Sequence, residues 1–61
     1  MRFVLEVDTD QLTGEVEPEL ARILRYWAGN LKNYPLVEGS GEDVYDSAYQ
    51  PVGTWALLGP T

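Results

Sequence analysis

Cysteine and histidine are both absent from the 61-residue sequence. Without cysteine the chain has no disulfide framework and no thiol nucleophile, so its fold depends on the hydrophobic core, alone or with an oligomer interface. Without histidine it lacks the commonest general base and, with cysteine also missing, the commonest zinc ligands. A chain of this length buries only about 60% of the surface of its unfolded form, which leaves little room for a catalytic cavity. We therefore expect no catalytic residues, no metal and no cofactor, and a protein that is not an enzyme.

Positive charge is also scarce. Four basic residues stand against ten acidic ones, and the net charge is −6. The last cation is Lys32, so residues 33–61 carry only acidic charges. Repulsion between this charge and a polyanion opposes nucleic-acid binding. We expect the partner to be another protein.

Long hydrophobic runs are missing as well. No apolar run approaches the roughly 20 residues that a membrane-spanning helix needs. Charge returns at Glu6, too soon for the hydrophobic core of a signal peptide. These features predict a soluble, cytoplasmic protein without a membrane partner.

Hydrophobic spacing predicts the first two elements. Alternate positions are apolar over residues 2–8, which indicates a half-buried strand. Apolar residues at positions 20, 23, 24, 27, 28 and 31 follow helical spacing and predict an amphipathic helix over 17–32. Pro18 suits the first turn of this helix, and Pro35 prevents its continuation.

The second half of the chain predicts a loop and a hairpin. Glycine, serine and proline mark residues 33–42 as a loop, in which Leu36 and Val37 are expected to fold back onto the core. Two β-prone stretches follow and predict a hairpin over 43–58 whose turn type and register stay open. The chain is therefore expected to form a single α+β domain in the order β-α-β-β. The helix covers one face of an antiparallel sheet with strand order 1-3-2, because the most apolar strand suits the centre.

Three segments of the chain form a recognisable set. They are the opening strand MRFVLEV at 1–7, the helical segment LARIL at 20–24 and the closing Val-Gly-x-Trp motif at 52–55. Together they resemble short uncharacterised proteins of actinobacteria and their bacteriophages. The resemblance covers most of the chain and implies a bacterial host cell, but it implies no activity and no site residue.

The sequence is compatible with two positions for Trp55. Alternation places it on the opposite face of the third strand from Val52, and a single helix covers only one face of the sheet. Trp55 therefore either packs in the core beside Trp27 or stands with Val4 on an uncovered face. Large aromatic side chains favour the core. On the uncovered face Trp55 would be a partner-binding residue.

The hairpin carries a second group of partner-binding candidates, which are acidic or aromatic. They are Glu42, Asp43, Tyr45, Asp46 and Tyr49. Exposed tyrosines beside carboxylates suit a protein interface. The three carboxylates formally permit paired-acid catalysis, but that chemistry needs a cleft that raises one pKa by burial, and so short a chain has little room for one.

Two hypotheses of function follow. The first is a small acidic, non-enzymatic protein-interaction module of phage origin that binds through the open sheet face or the acidic hairpin edge. Self-association accompanies it, because a homodimer would bury the uncovered face. The second is an acidic mimic of nucleic acid that inhibits a DNA- or RNA-binding protein. Its motivation is the four carboxylates after Lys32, but four are a modest imitation of a row of phosphates. The first hypothesis is therefore favoured.

Overall fold

The computed structural model describes residues 1–60, which form three strands, one α-helix and two short 3-10 turns at Thr9–Gln11 and Leu31–Asn33. Along the chain, β1 (Arg2–Val7) precedes α1 (Val16–Asn30), and β2 (Gly41–Tyr45) and β3 (Pro51–Leu58) follow. β3 lies between β1 and β2 and runs antiparallel to both. The predicted α+β class and the 1-3-2 strand order are confirmed.

The helix begins and ends earlier than the predicted 17–32. Leu31–Asn33 form a 3-10 turn after α1 instead of a last α-helical turn. Pro18 is the third helical residue, where its missing N–H removes no hydrogen bond, because the first four N–H groups of a helix have no partner within it. No helix within residues 1–60 is long and apolar enough to cross a membrane.

The helix contacts the sheet along a narrower stripe than its apolar spacing predicted. Ile23 and Trp27, one turn apart, are buried. Leu24, on the same predicted apolar arc, is 59% exposed, because a sheet of three strands does not reach around the helix. The prediction that Leu36 and Val37 fold back onto the core is also wrong, since both side chains are exposed.

A bulge in β3 changes which side chains face the helix. Val44 of β2 pairs with Gly53, but Tyr45 pairs with Pro51, so Val52 is an extra residue in β3. An extra residue shifts the alternation of faces by one. Val52 is consequently 3% exposed and belongs to the core, whereas strict alternation placed it on the face opposite Trp55.

The loop before β2 ends earlier than residue 42, because Gly41 already belongs to the sheet. A Cβ atom on Gly41 would lie 2.5 Å from the main-chain oxygen of Trp55, so only glycine permits this close approach. The pairing extends further, since Leu57 accepts a hydrogen bond from Gly39 and donates one to Ser40. A glycine that indicates a loop in the sequence thus serves as a strand residue.

The core lies between α1 and the sheet. Its buried hydrophobic residues are Ile23, Trp27, Val44, Val52, Trp55 and Leu57. Trp55 is 1% exposed, and its ring meets that of Trp27 edge to face at a centroid distance of 5.5 Å. The core alternative for Trp55 is correct, and its assignment as an exposed partner-binding residue is wrong.

Within residues 1–60 no helix covers the other face of the sheet, as predicted. The register places Arg2, Glu6, Thr54 and Leu58 on this face, and all four are exposed. Val4, which shares it, is only partly buried. Charged residues at the edge of the sheet break up the apolar surface.

Candidate functional site

A cleft of about 350 Å³ opens between α1 and the hairpin. Five aromatic residues line it, and they include all four tyrosines of the sequence: Tyr26, Trp27, Tyr34, Tyr45 and Tyr49. Its charged lining residues are Arg22, Glu42, Asp43 and Asp46. The volume is at the lower end of the roughly 300–1,000 Å³ that is typical of ligand sites.

The aromatic floor of the cleft is continuous with the core. The Trp27 ring lies 5.1 Å from Tyr26 and 5.6 Å from Tyr34, measured between ring centroids. Both Trp27 and Tyr34 also contact Trp55, at 5.5 and 5.6 Å. Trp55 therefore supports the cleft from below without lining it. These rings therefore form one continuous aromatic cluster from the core to the cleft.

The hairpin turn forms the opposite wall, and Asp46 organises it. The main-chain oxygen of Asp46 accepts a hydrogen bond from the Tyr49 N–H at 3.0 Å. Its carboxylate accepts from the N–H groups of Ala48 and Gln50, at 3.0 and 2.9 Å. An aspartate that binds the main chain two residues on is a recurrent turn former. This contact settles the turn geometry that the sequence left open.

Tyr49 occupies an unfavourable backbone position in this turn. Its φ is +63°, in the left-handed region that glycine adopts more easily than any side-chain-bearing residue. Its side chain is 80% exposed and packs against Tyr45, which is 40% exposed, with the ring centroids 5.0 Å apart and the ring planes tilted by 51°. The turn thus holds a large aromatic side chain in solvent at a position where glycine would be less strained.

Asp46 is not available to a partner. The residue is 2% exposed, and one carboxylate oxygen accepts hydrogen bonds from the N–H and the hydroxyl of Thr13. The hydrogen bonds from Gln50, Thr13 and Ala48 outweigh the opposing effect of burial and lower the pKa of Asp46. The assignment of Asp46 as partner-binding is wrong, because its carboxylate holds the turn to the segment before α1.

A second carboxylate ties the helix to the same turn. Glu19 accepts hydrogen bonds from the hydroxyl of Ser47 at 2.7 Å and from its N–H at 2.9 Å, which lowers the pKa of Glu19. Arg22 Nη2 lies 3.7 Å from Glu19 Oε1, and the two residues are three apart on the same side of α1. Arg22 Nη2 also donates to the carbonyl oxygen of Tyr45 at 2.8 Å. The only basic residue among those lining the cleft in residues 1–60 therefore already has two partners.

Acid is expected to weaken the fold through these two carboxyl groups. The pKa values of Glu19 and Asp46 are lower in the folded than in the unfolded chain, so the native state binds fewer protons in acid. Their contribution to the free energy of unfolding is fully present above about pH 5 and is lost as the pH falls below about 4. Urea unfolding followed by tryptophan fluorescence between pH 7 and pH 3 measures this loss.

The variant Asp46→Asn isolates the contribution of one group. We expect it to be less stable than the wild type at pH 7, because the amide nitrogen cannot accept a hydrogen bond. The difference should shrink toward pH 3, because Asp46 of the unfolded wild-type chain takes up a proton in this range, whereas the lowered pKa of the folded chain delays protonation to lower pH. Asp43→Asn, an equal change of charge at an exposed strand position, serves as the control. A difference between wild type and Asp46→Asn that stays constant over this range would contradict the expected role.

The cleft brings together five of the six candidates that the sequence predicted. Glu42, Asp43, Tyr45, Asp46 and Tyr49 line it, and the remaining candidate is the core tryptophan beneath it. The sequence reasoning missed the helical half of the site and the residue that follows the 3-10 turn. These residues are Arg22, Tyr26, Trp27 and Tyr34. The positions of the tyrosines could have indicated them. Two tyrosines lie at 26 and 34, in and just after the helical segment, and two lie at 45 and 49 in the hairpin, and a β-α-β-β fold can bring these segments together.

Comparisons of this chain with protein-family models, with curated proteins and with solved structures found no match. The resemblance to actinobacterial and phage proteins therefore stays a prediction. The assignment of function depends on the geometry of the cleft.

Proposed function

We propose that this protein is a non-enzymatic interaction module that binds a partner protein through the aromatic cleft between α1 and the hairpin. The observation that carries the proposal is Tyr49, which is 80% exposed at a backbone position suited to glycine. Strained conformations concentrate at functional sites, since elsewhere a less strained residue would serve. In line with the resemblance to actinobacterial and phage proteins, we also propose that it is phage-derived and acts in the cytoplasm of a bacterial host cell.

The composition of the cleft supports a protein partner. Tyrosine and tryptophan are the residues most enriched at binding hot spots, because they supply large contact areas at a low cost in conformational entropy. Tyr45 and Tyr49 supply such area on one wall, and Trp27 and Tyr34 form the floor. The open sheet face offers less, since its partly buried Val4 and exposed Leu58 lie among charged residues.

The alternative of nucleic-acid mimicry has weaker support. It uses the carboxylates of Glu38, Glu42, Asp43 and Asp46 in place of phosphates, but Asp46 is buried and hydrogen-bonded within the chain. Three exposed carboxylates are fewer than the 6–10 phosphate contacts of a typical DNA-binding surface. The capture experiment on this protein therefore includes a result that would indicate mimicry.

Replacement of Tyr49 by glycine is expected to separate binding from stability. The substitution relieves the left-handed strain and loses one ring contact, so the free energy of unfolding should stay unchanged or rise by up to about 1 kcal/mol. Removal of the exposed ring should weaken partner binding at least about ten-fold, equivalent to about 1.4 kcal/mol. Urea unfolding measures the first quantity, and affinity capture measures the second.

The capture experiment uses tagged protein and a nuclease-treated actinobacterial lysate, at low and at high salt, with mass spectrometry of the retained proteins. We expect one protein to be enriched over the tag alone by the wild type and lost by Tyr49→Gly. The variant Glu6→Gln, altered on the open sheet face, should retain it. A nucleic-acid-binding protein that Tyr49→Gly still retains, and that high salt removes, would favour mimicry instead. Retention of the protein itself alone would indicate self-association and contradict the proposal.

A further inference from the structure

The cleft has a net negative charge. Its formal charge at neutral pH is −2, from Arg22 on one side and Glu42, Asp43 and Asp46 on the other. Arg22 is paired with Glu19 and donates to the carbonyl oxygen of Tyr45, which offsets part of its positive charge, and its Nε is buried without a hydrogen-bond partner among residues 1–60. An anionic ligand would meet repulsion here, and a cationic one would meet attraction.

Glu42 is the carboxylate best placed to act inside the cleft. Val44 is buried beneath the helix, and residues two apart on a strand share a face, so Glu42 also faces the helix side of the sheet. Asp43, between them, has its side chain toward the uncovered face and adds negative charge at the edge of the cleft. Burial and the Glu42 charge both raise the pKa of the Tyr34 hydroxyl, which lies in the same cleft. Negative potential from Glu42 therefore reaches the aromatic floor.

The aromatic walls suit the same class of ligand. Aromatic faces attract a cation that lies within about 6 Å of the ring centroid. Tyr45 and Tyr49 form one such pair of rings at 5.0 Å, and the rings of Trp27 and Tyr34 lie 5.6 Å apart on the floor. Walls of this kind beside one carboxylate stabilise a positive charge from several sides. A cleft of about 350 Å³ is large enough for one side chain and small for a cofactor.

From this combination we infer that the cleft binds an arginine or lysine side chain of the partner protein, held between the tyrosines of the hairpin and the carboxylate of Glu42. The inference rests on the proposed function and specifies the chemistry of the partner. It assigns Tyr45 and Tyr49 to cation–π contacts and Glu42 to charge recognition. Asp46 only positions the turn that carries Tyr49.

The test uses a capped nine-residue peptide of glycine and serine with one central arginine. Its matched control carries citrulline, which has the same shape without the charge. Titration into the ¹⁵N-labelled full chain is followed by NMR. We expect saturable shifts at the Trp27 indole N–H and at the main chain of Tyr34, Tyr45 and Tyr49. The arginine peptide should bind at least about ten-fold more tightly than the citrulline peptide.

Two single-charge variants distinguish local recognition from the overall negative charge. Glu42→Gln should weaken binding of the arginine peptide about three- to five-fold, because it removes the carboxylate inside the cleft. Glu6→Gln makes the same chemical change on the uncovered sheet face and should leave the affinity within about two-fold. Equal losses from the two variants would overturn the assignment of Glu42.

Three results would overturn the inference of a cationic side chain. They are equal affinity for both peptides, shifts that map to Val4 and Leu58 on the open face, and no saturable shift. If any of these occurs while a captured protein still depends on Tyr49, the proposed function stands and the cation inference fails. If the captured protein is also independent of Tyr49, both fail.

Discussion

Replacement of Trp55 by alanine is expected to unfold the protein. Trp55 is 1% exposed and contacts the rings of Phe3, Trp27 and Tyr34. Truncation of a buried tryptophan to alanine lowers the free energy of unfolding by about 3–5 kcal/mol. A domain of 61 residues has a total of about 3–9 kcal/mol, at about 0.05–0.15 kcal/mol per residue. The variant should therefore lose the cooperative urea transition and the dispersion of its NMR spectrum.

The conservative variant Trp55→Phe is the matched control. It keeps an aromatic ring in the core and removes an indole N–H that is buried without a hydrogen-bond partner among residues 1–60. We expect it to remain folded and to lose no more than about 2 kcal/mol. A Trp55→Ala variant with a wild-type urea midpoint would show that Trp55 is not part of the core. Trp55→Ala cannot report on partner binding, because it removes the support of the cleft together with the fold.

The substitution Gly53→Ala is expected to have the second large effect. Gly53 pairs with Val7, and a Cβ atom on Gly53 would overlap the carbonyl oxygen of Glu6. It would also lie 2.8 Å from the carbonyl carbon of Glu6 and 2.9 Å from Cα of Val7. Overpacking inside a domain costs about 1–3 kcal/mol, and here the crowded atoms are main chain that moves only if β1 separates from β3. We expect a loss of about 3 kcal/mol or more by urea unfolding.

Gly29→Ala makes the same chemical change with the opposite expected sign. Gly29 is exposed near the end of α1, and its added Cβ would meet nothing within 4 Å. Alanine is favoured over glycine in a helix by about 0.5–1 kcal/mol, so this variant should be more stable than the wild type. Equal stability of Gly53→Ala and Gly29→Ala would contradict the close approach of β1 to β3.

These two predictions give a physical reason for the Val-Gly-x-Trp motif in β3. Val52 and Trp55 enter the core, and Gly53 admits the main chain of β1. Thr54 stays exposed on the uncovered face. Each position is explained by packing, so the motif is evidence of a fold and not of an activity. The functional assignment rests on the tyrosines and Glu42, outside this motif.

Local patterns in the sequence determined the elements and their order. Alternation defined β1, helical spacing around Ile23 and Trp27 defined α1, and the most apolar strand took the centre of the sheet. These features depend on residues close together in the chain, so they can be read without tertiary contacts. The scarcity of cations was equally readable, and it disfavoured a nucleic-acid partner.

Features that depend on contacts between distant segments were decided only by the tertiary structure. The bulge placed Val52 on the helix side of the sheet instead of the uncovered side. Pairing with β3, where the main chain of Trp55 approaches closely, made Gly41 a strand residue and not a loop residue. Hydrogen bonds from Thr13, 33 residues away, made Asp46 a buried structural group. The cleft itself joins a helix to a hairpin more than ten residues later. The sequence could therefore nominate the acidic and aromatic residues of the hairpin, but only packing against α1 made them one site, because the shape of a cleft is set by surfaces that meet when the chain folds.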